Sequence, residues 1–171
     1  GPGYLADASA SLLLFMPISL ATVTLTKVLT PYWSRLRQAG EHKLISQQGR
    51  NIKFLLMLLI SFYIFILLEI KEPLLETVFG DNYATITNEM FILWGAIFFV
   101  QAIRSNYSIF LQVYLEFQKI TQLNTVSAIT VLLSSTILVQ AYGVTGALMA
   151  LLLGEVLLMF LLRGRLKNVR N

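Results

Sequence analysis

The sequence predicts an all-α integral membrane protein, a single bundle of five transmembrane helices over residues 1–171. Three observations carry that reading. Only 13% of the residues are charged and 56% are apolar, against roughly 25% charged in soluble domains. Five stretches are apolar over lengths near the roughly 20 residues that a bilayer-spanning helix needs. The basic residues collect between alternate stretches, the pattern that sets membrane orientation.

The first helix is expected at about 5–28. Pro17 lies inside it, and a proline removes a backbone donor and crowds the preceding turn, so a bend is expected there. The others are expected at about 52–70, 89–114, 120–141 and 146–162. The link after the first helix, "RLRQAGEHKLISQQGRNIKF", is long. Leu36, Leu44, Ile45 and Ile52 among its polar residues predict an amphipathic helix lying on the membrane surface, with His42 solvated.

Charge placement gives an orientation. Lys27, Arg35, Arg37, Lys43, Arg50, Lys53, Lys119, Arg163, Arg165, Lys167 and Arg170 are 11 of the 13 basic residues, and all fall on one side of a five-helix zigzag. Asp7, Glu69, Lys71, Glu72, Glu76, Asp81 and Glu89 fall on the other. An excess of Lys and Arg marks the cytoplasmic side. The N-terminus is therefore expected outside and the C-terminus inside. The net charge of +4 reads as topology, with no nucleic acid partner.

The chain has no Cys and one His. That excludes disulfides, a thiol nucleophile and a His/Cys metal centre. The deep charges are one Arg and one Glu, with no general acid–base pair beside a nucleophile. No enzyme, metal or cofactor is expected. No secretory signal pattern opens the chain, which reads as a piece of a longer protein.

The third helix carries the candidate chemistry. Gln101, Arg104, Ser105, Ser108 and Gln112 are spaced 3, 1, 3 and 4 residues apart, one face of a helix. Phe99, Ile103, Phe110 and Val113 form the opposite face, with Asn106 its polar exception, and lipid is expected to take that face. A lipid-facing arginine costs at least about 2.5–3.5 kcal/mol, so the polar stripe must meet protein or water. Asn124, Ser127, Thr130 and Ser134 line one side of helix four, and Ser19, Thr22 and Thr26 one side of helix one. Ordinary interhelical hydrogen bonds, worth about 0.6 kcal/mol each, are the plain reading of those hydroxyls. Gly146, Ala150 and Gly154 form a small-residue ridge expected to pack against another helix. Glu155 follows it. At 1.5 Å per residue, Arg104 lies roughly 15 Å and Glu155 roughly 11 Å from the inner ends of their helices. Two readings of Arg104 stay open: an ion pair with Glu155, or a water-filled cavity where its fork meets an anion.

Three landmarks carry a family resemblance: "LTPYWSRLRQAGE" after helix one, with Pro31, Ser34, Leu36 and Gly40; "VFGDNY" at 78–83; and "YGVTGAL" at 142–148. In order and spacing the chain resembles the polysaccharide and lipid-linked oligosaccharide flippases of the MATE-like exporter superfamily. It looks like the last five helices of a twelve- or fourteen-helix transporter, most of its C-terminal lobe. The resemblance implies two helical bundles around a cavity that opens alternately to each side of the bacterial inner membrane. It implies an undecaprenyl-diphosphate-linked oligosaccharide as substrate, for O-antigen, capsule or exopolysaccharide, with membrane lipids and the missing N-terminal lobe as partners. Candidate substrate-binding residues are Arg104, Gln101, Ser108, Gln112 and Asn124, with Glu155 in an ion pair or in coupling. A multidrug cation exporter of the same superfamily and a non-transporting membrane scaffold are the alternatives.

Overall fold

The computed structural model describes residues 2–79 and 88–170. Four helices follow one another: α1 (Pro2–Gln38), α2 (His42–Phe79), α3 (Asn88–Val113) and α4 (Phe117–Arg170). The landmark "VFGDNY", apart from the backbone of its first two residues, lies outside the described residues, as do Asp81 and the side chains of Asp7, Glu76 and Arg170.

The helices run longer than the apolar stretches that nucleate them. α1 passes through Pro17 and Pro31 as one helix. The hydroxyl of Tyr63 on α2 donates to the Leu14 carbonyl at 2.7 Å, beside the turn where Pro17 disturbs the backbone ladder. Thr22, Thr26 and Thr30 each donate to the carbonyl four residues back.

The long link is no surface helix. α1 runs to Gln38 and α2 starts at His42. Gly40, at φ +78°, takes the left-handed conformation that ends α1. The Gly40 N–H donates to Arg37 and the Glu41 N–H to Leu36, at 3.0 and 2.9 Å, the two bonds of a Schellman turn. Ile45 is fully buried, and Trp33 Nε1 donates to Gln48 Oε1 at 3.0 Å. Leu36, Ile45 and Ile52 thus pack on the bundle core, while Leu44 is exposed. The α3–α4 connection repeats this geometry. Leu115 sits at φ 62°, its N–H on the Gln112 carbonyl and the Glu116 N–H on the Leu111 carbonyl, both at 2.9 Å. Glu41 and Glu116 occupy equivalent places, and Ile45 and Ile120, four residues on, are both buried.

α4 is a hairpin within one element. Gly143, at φ 60° and ψ −133°, breaks it, in a region that glycine alone enters cheaply. The Ser127 hydroxyl donates to the Gly154 carbonyl at 2.8 Å. Residues that far apart in a straight helix would be about 40 Å distant, so the arms 117–142 and 144–170 fold back on each other. Gly146 lies against the Leu138 backbone, and Gly154 against Val131 and Ser127. The small residues let the arms close, as the ridge predicts.

The five spans expected from the sequence are not seen as five separate apolar helices. Among the described residues, three helices are long and apolar enough to cross a membrane, over Ser9–Gln38, His42–Leu74 and Phe117–Lys167. The last holds two of the expected stretches. α3 falls short in apolarity because Gln101, Arg104, Ser105, Asn106 and Ser108 interrupt it.

α3 lies in the middle, packed against α1, α2 and α4. The face carrying Phe110 and Val113, expected to meet lipid, is buried, and Phe110 fits against Gly49 of α2. The exposed apolar stripes lie instead on the outer helices, as with Phe54, Leu55, Leu58, Phe62 and Phe65 of α2. Two large cores pack along α3, beside a smaller one of Met90, Ile97 and Leu148. One joins Phe15 and Ile18, Ile60 and Leu67, and Phe91, Phe98 and Ala102, with the Phe15 and Phe98 rings stacked at 5.7 Å. The other, at the basic end, joins Trp33, Ile45, Ile109 to Leu111 and Val113 with Leu158, Leu162 and Leu166. Residues 103–108 of α3 fall between the two cores.

Candidate functional site

The gap between the cores is a polar layer. Arg104 Nε stands 2.6 Å from Glu155 Oε2, and Gln101 Nε2 donates to the other carboxylate oxygen at 2.9 Å. Glu155 on the second arm of α4 is thus gripped by two residues one helical turn apart on α3. The pair is largely enclosed, with the Arg104 side chain 22% and the Glu155 side chain 18% exposed. Such an enclosed pair is held by its close partners and the hydrogen bond to Gln101, since desolvation offsets much of the Coulomb attraction. Gly154 packs against Val131 and Ser127 of the first arm, while Glu155, the next residue, turns toward α3.

On the far side of Arg104, toward α1, lies a cavity of about 260 Å³. Ser19 and Thr22 of α1 face Gln101, Arg104 and Ser105 of α3 across it, with Ile18, Val23 and Phe98 as apolar walls. Glu155 engages the guanidinium through its Nε edge. Arg104 lines this cavity, and its two terminal amino groups make no hydrogen bond to protein among the described residues, so their donors can serve a ligand.

The other candidates fare differently. Gln112 Nε2 donates to Ser108 Oγ at 3.3 Å, along the same helix and a turn or more from Arg104. Neither lines the cavity. Asn124 is exposed on the first arm of α4, and nothing brings it to Arg104. The hydroxyls expected to bond between helices mostly bond within them: Thr22 to Ile18, Thr26 to Thr22, Thr130 to Val126 and Ser134 to Thr130. Ser127 is the one of that set seen bonding across to another arm. A hydroxyl can reach the carbonyl four residues back without any neighbour, so a row of Ser and Thr does not by itself mark a contact.

Contacts that the sequence did not signal tie the basic end together. Arg37 Nη1 donates to the Val113 carbonyl at 2.6 Å and its guanidinium covers the Tyr114 ring at 5.5 Å. His42, expected to be merely solvated, lies 3.1 Å from the Tyr114 hydroxyl. Arg165 Nη2 reaches both oxygens of Glu116, at 3.1 and 2.9 Å. These basic residues hold the helix ends together. Among the described residues no three His, Asp or Glu side chains gather as a metal site would need. The chain matches no protein-family model, and no curated protein or solved structure is significantly similar to it.

Proposed function

We propose that this chain is the membrane-embedded part of a transporter that flips an undecaprenyl-diphosphate-linked oligosaccharide across the bacterial inner membrane by alternating access. In this reading α1, α2, α3 and the two arms of α4 make five crossings, with the basic end cytoplasmic. α3 can cross although it is polar, because the surrounding helices shield its charged layer from lipid. The sequence landmarks support the family, and the observation that carries the function is the state of Arg104. Its Nε is paired with Glu155 at 2.6 Å, and the same residue lines a cavity between α1 and α3. A diphosphate matches the guanidinium fork with two oxygens.

Glu155 then positions the guanidinium, and Gln101 positions Glu155. Ser19, Thr22 and Ser105 supply hydroxyls on the cavity wall. A multidrug cation exporter would need a carboxylate free to meet cations, whereas Glu155 is already engaged by two partners. The 2.6 Å pair also favours a second reading, in which the layer only holds helices together. Transport by purified full-length protein in proteoliposomes separates the two. Substrate binding predicts that Arg104→Ala abolishes transport whether or not Glu155 is also changed. The scaffold reading predicts recovery in the double variant Arg104→Ala, Glu155→Ala.

A further inference from the structure

A second polar feature lies apart from the Arg104 layer, at the basic end. Two adjoining cavities, of about 170 and 270 Å³, share Lys53, Tyr107 and Leu166. Arg50 and Lys53 enter from α2, Asn106 and Tyr107 from α3, and Arg163 and Lys167 from the second arm of α4. Four cations from two elements thus converge on one cleft. No carboxylate lies within 4 Å of any of them among the described residues, while Glu116, at the same end, is held by Arg165. Lys53 Nζ sits 5.7 Å over the Tyr107 ring, a contact that holds the ammonium at the cleft without neutralising it.

Asn106 is the second observation. It is 3% exposed and lines the cleft, and its Nδ2 has no hydrogen-bond partner among the described residues. A buried amide donor left unmade is costly, and each such group in a native structure asks for a partner. A donor at the base and four cations at the rim suit an acceptor-rich anion. From this convergence we infer that the cleft binds a phosphate group, as carried by an anionic phospholipid headgroup or by free pyrophosphate. The Asn106 amide meets one phosphate oxygen, and the basic side chains surround the rest. The cleft opens at the end where the helical turns gather, the depth at which basic side chains meet lipid headgroups.

The test uses the purified full-length protein in nanodiscs. Retention of phosphatidylglycerol against phosphatidylcholine is read by native mass spectrometry, and binding of inorganic pyrophosphate by calorimetry in phosphatidylcholine discs. The variants are Lys53→Gln with Arg163→Gln, and separately Asn106→Asp, which sets a negative charge at the base. Lys43→Gln with Lys119→Gln removes the same charge from exposed positions outside the cleft. The inference expects preferential retention of phosphatidylglycerol, or binding of pyrophosphate. Either should weaken roughly 30-fold in the cleft double variant, at about a tenfold loss or less per basic contact, and comparably in Asn106→Asp, but stay within about twofold in the control. Phosphatidylglycerol preference without pyrophosphate binding identifies a lipid headgroup site, and the reverse identifies a soluble phosphate site. Equal retention of both lipids with no pyrophosphate binding overturns the inference. So does an equal loss in the control variant, which would mean a diffuse surface charge. The readout contains no transport step, so its failure leaves the role of Arg104 standing.

Discussion

Arg104→Ala should cost stability through the carboxylate it leaves behind, and the structure bounds the amount. Removing one partner of a fully buried ion pair costs about 3–5 kcal/mol. Exposed pairs are worth about 0–1 kcal/mol. With side chains 22% and 18% exposed, this pair lies between those limits. Gln101 still donates to Glu155 at 2.9 Å in the variant, which limits the penalty further. The expected loss is about 1–3 kcal/mol, or about 2–4 °C in Tm per kcal/mol for a unit of this size. Glu155→Ala strands the arginine instead and should cost a similar amount. The double variant strands neither, so it should be less destabilised than the sum of the singles by about 1–2 kcal/mol. Thermal unfolding of the four purified proteins in detergent measures this cycle. Strictly additive losses would show that the 2.6 Å contact carries no coupling, and would refute the claim that Glu155 positions Arg104.

Three further outcomes are expected. Gly154→Leu should sharply lower membrane accumulation, because Val131 already fills the space against the glycine; normal levels by quantitative blotting would reject the hairpin packing. Leu115→Gly should raise Tm, since leucine at φ 62° is strained by about 1–2 kcal/mol and glycine returns only about 0.5–1 kcal/mol of that as chain entropy. An unchanged or lower Tm would mean the α3–α4 turn is set elsewhere. Cysteines placed at Arg37 and Asp81 should report the orientation in intact cells. An impermeant thiol reagent is expected to label position 81 alone, and labelling of position 37 alone would invert the topology.

Much of this architecture was legible in the residues, for identifiable reasons. The apolar stretches marked where helices form, because a run of about 20 apolar residues leaves few alternatives to a helix. The ridge of Gly146, Ala150 and Gly154 signalled close packing against another helix, and the structure supplies the partner by folding α4 back at Gly143. The depths of Arg104 and Glu155 matched well enough to name them as partners, and the structure joins them. Helix length was not legible: α1 and α2 extend past their apolar segments, since Trp33, Ile45 and Phe110 build a core where charged residues dominate the sequence. The burial of Phe110 and Val113 was missed because an apolar face suits lipid and protein equally. Asn124 lies exposed and apart from Arg104. Its row of polar residues satisfies its own backbone, and periodicity alone does not separate that from a contact. The phosphate-binding cleft hid among basic residues whose topological role was explanation enough until α2, α3 and α4 were seen to bring them together.

Transport by Arg104→Lys in proteoliposomes, beside Arg104→Ala and the double variant with Glu155→Ala, tests the central claim most directly. Lysine keeps the charge and replaces a planar fork with a point charge. Hydrogen bonds to a charged group are worth about 1.5–3 kcal/mol, so losing the bidentate contact should slow transport roughly 10- to 100-fold while the protein accumulates normally. Arg104→Ala should slow it further, and the double variant should stay as slow as Arg104→Ala. Wild-type rates in the double variant would contradict the account, because the arginine would then serve only to neutralise Glu155.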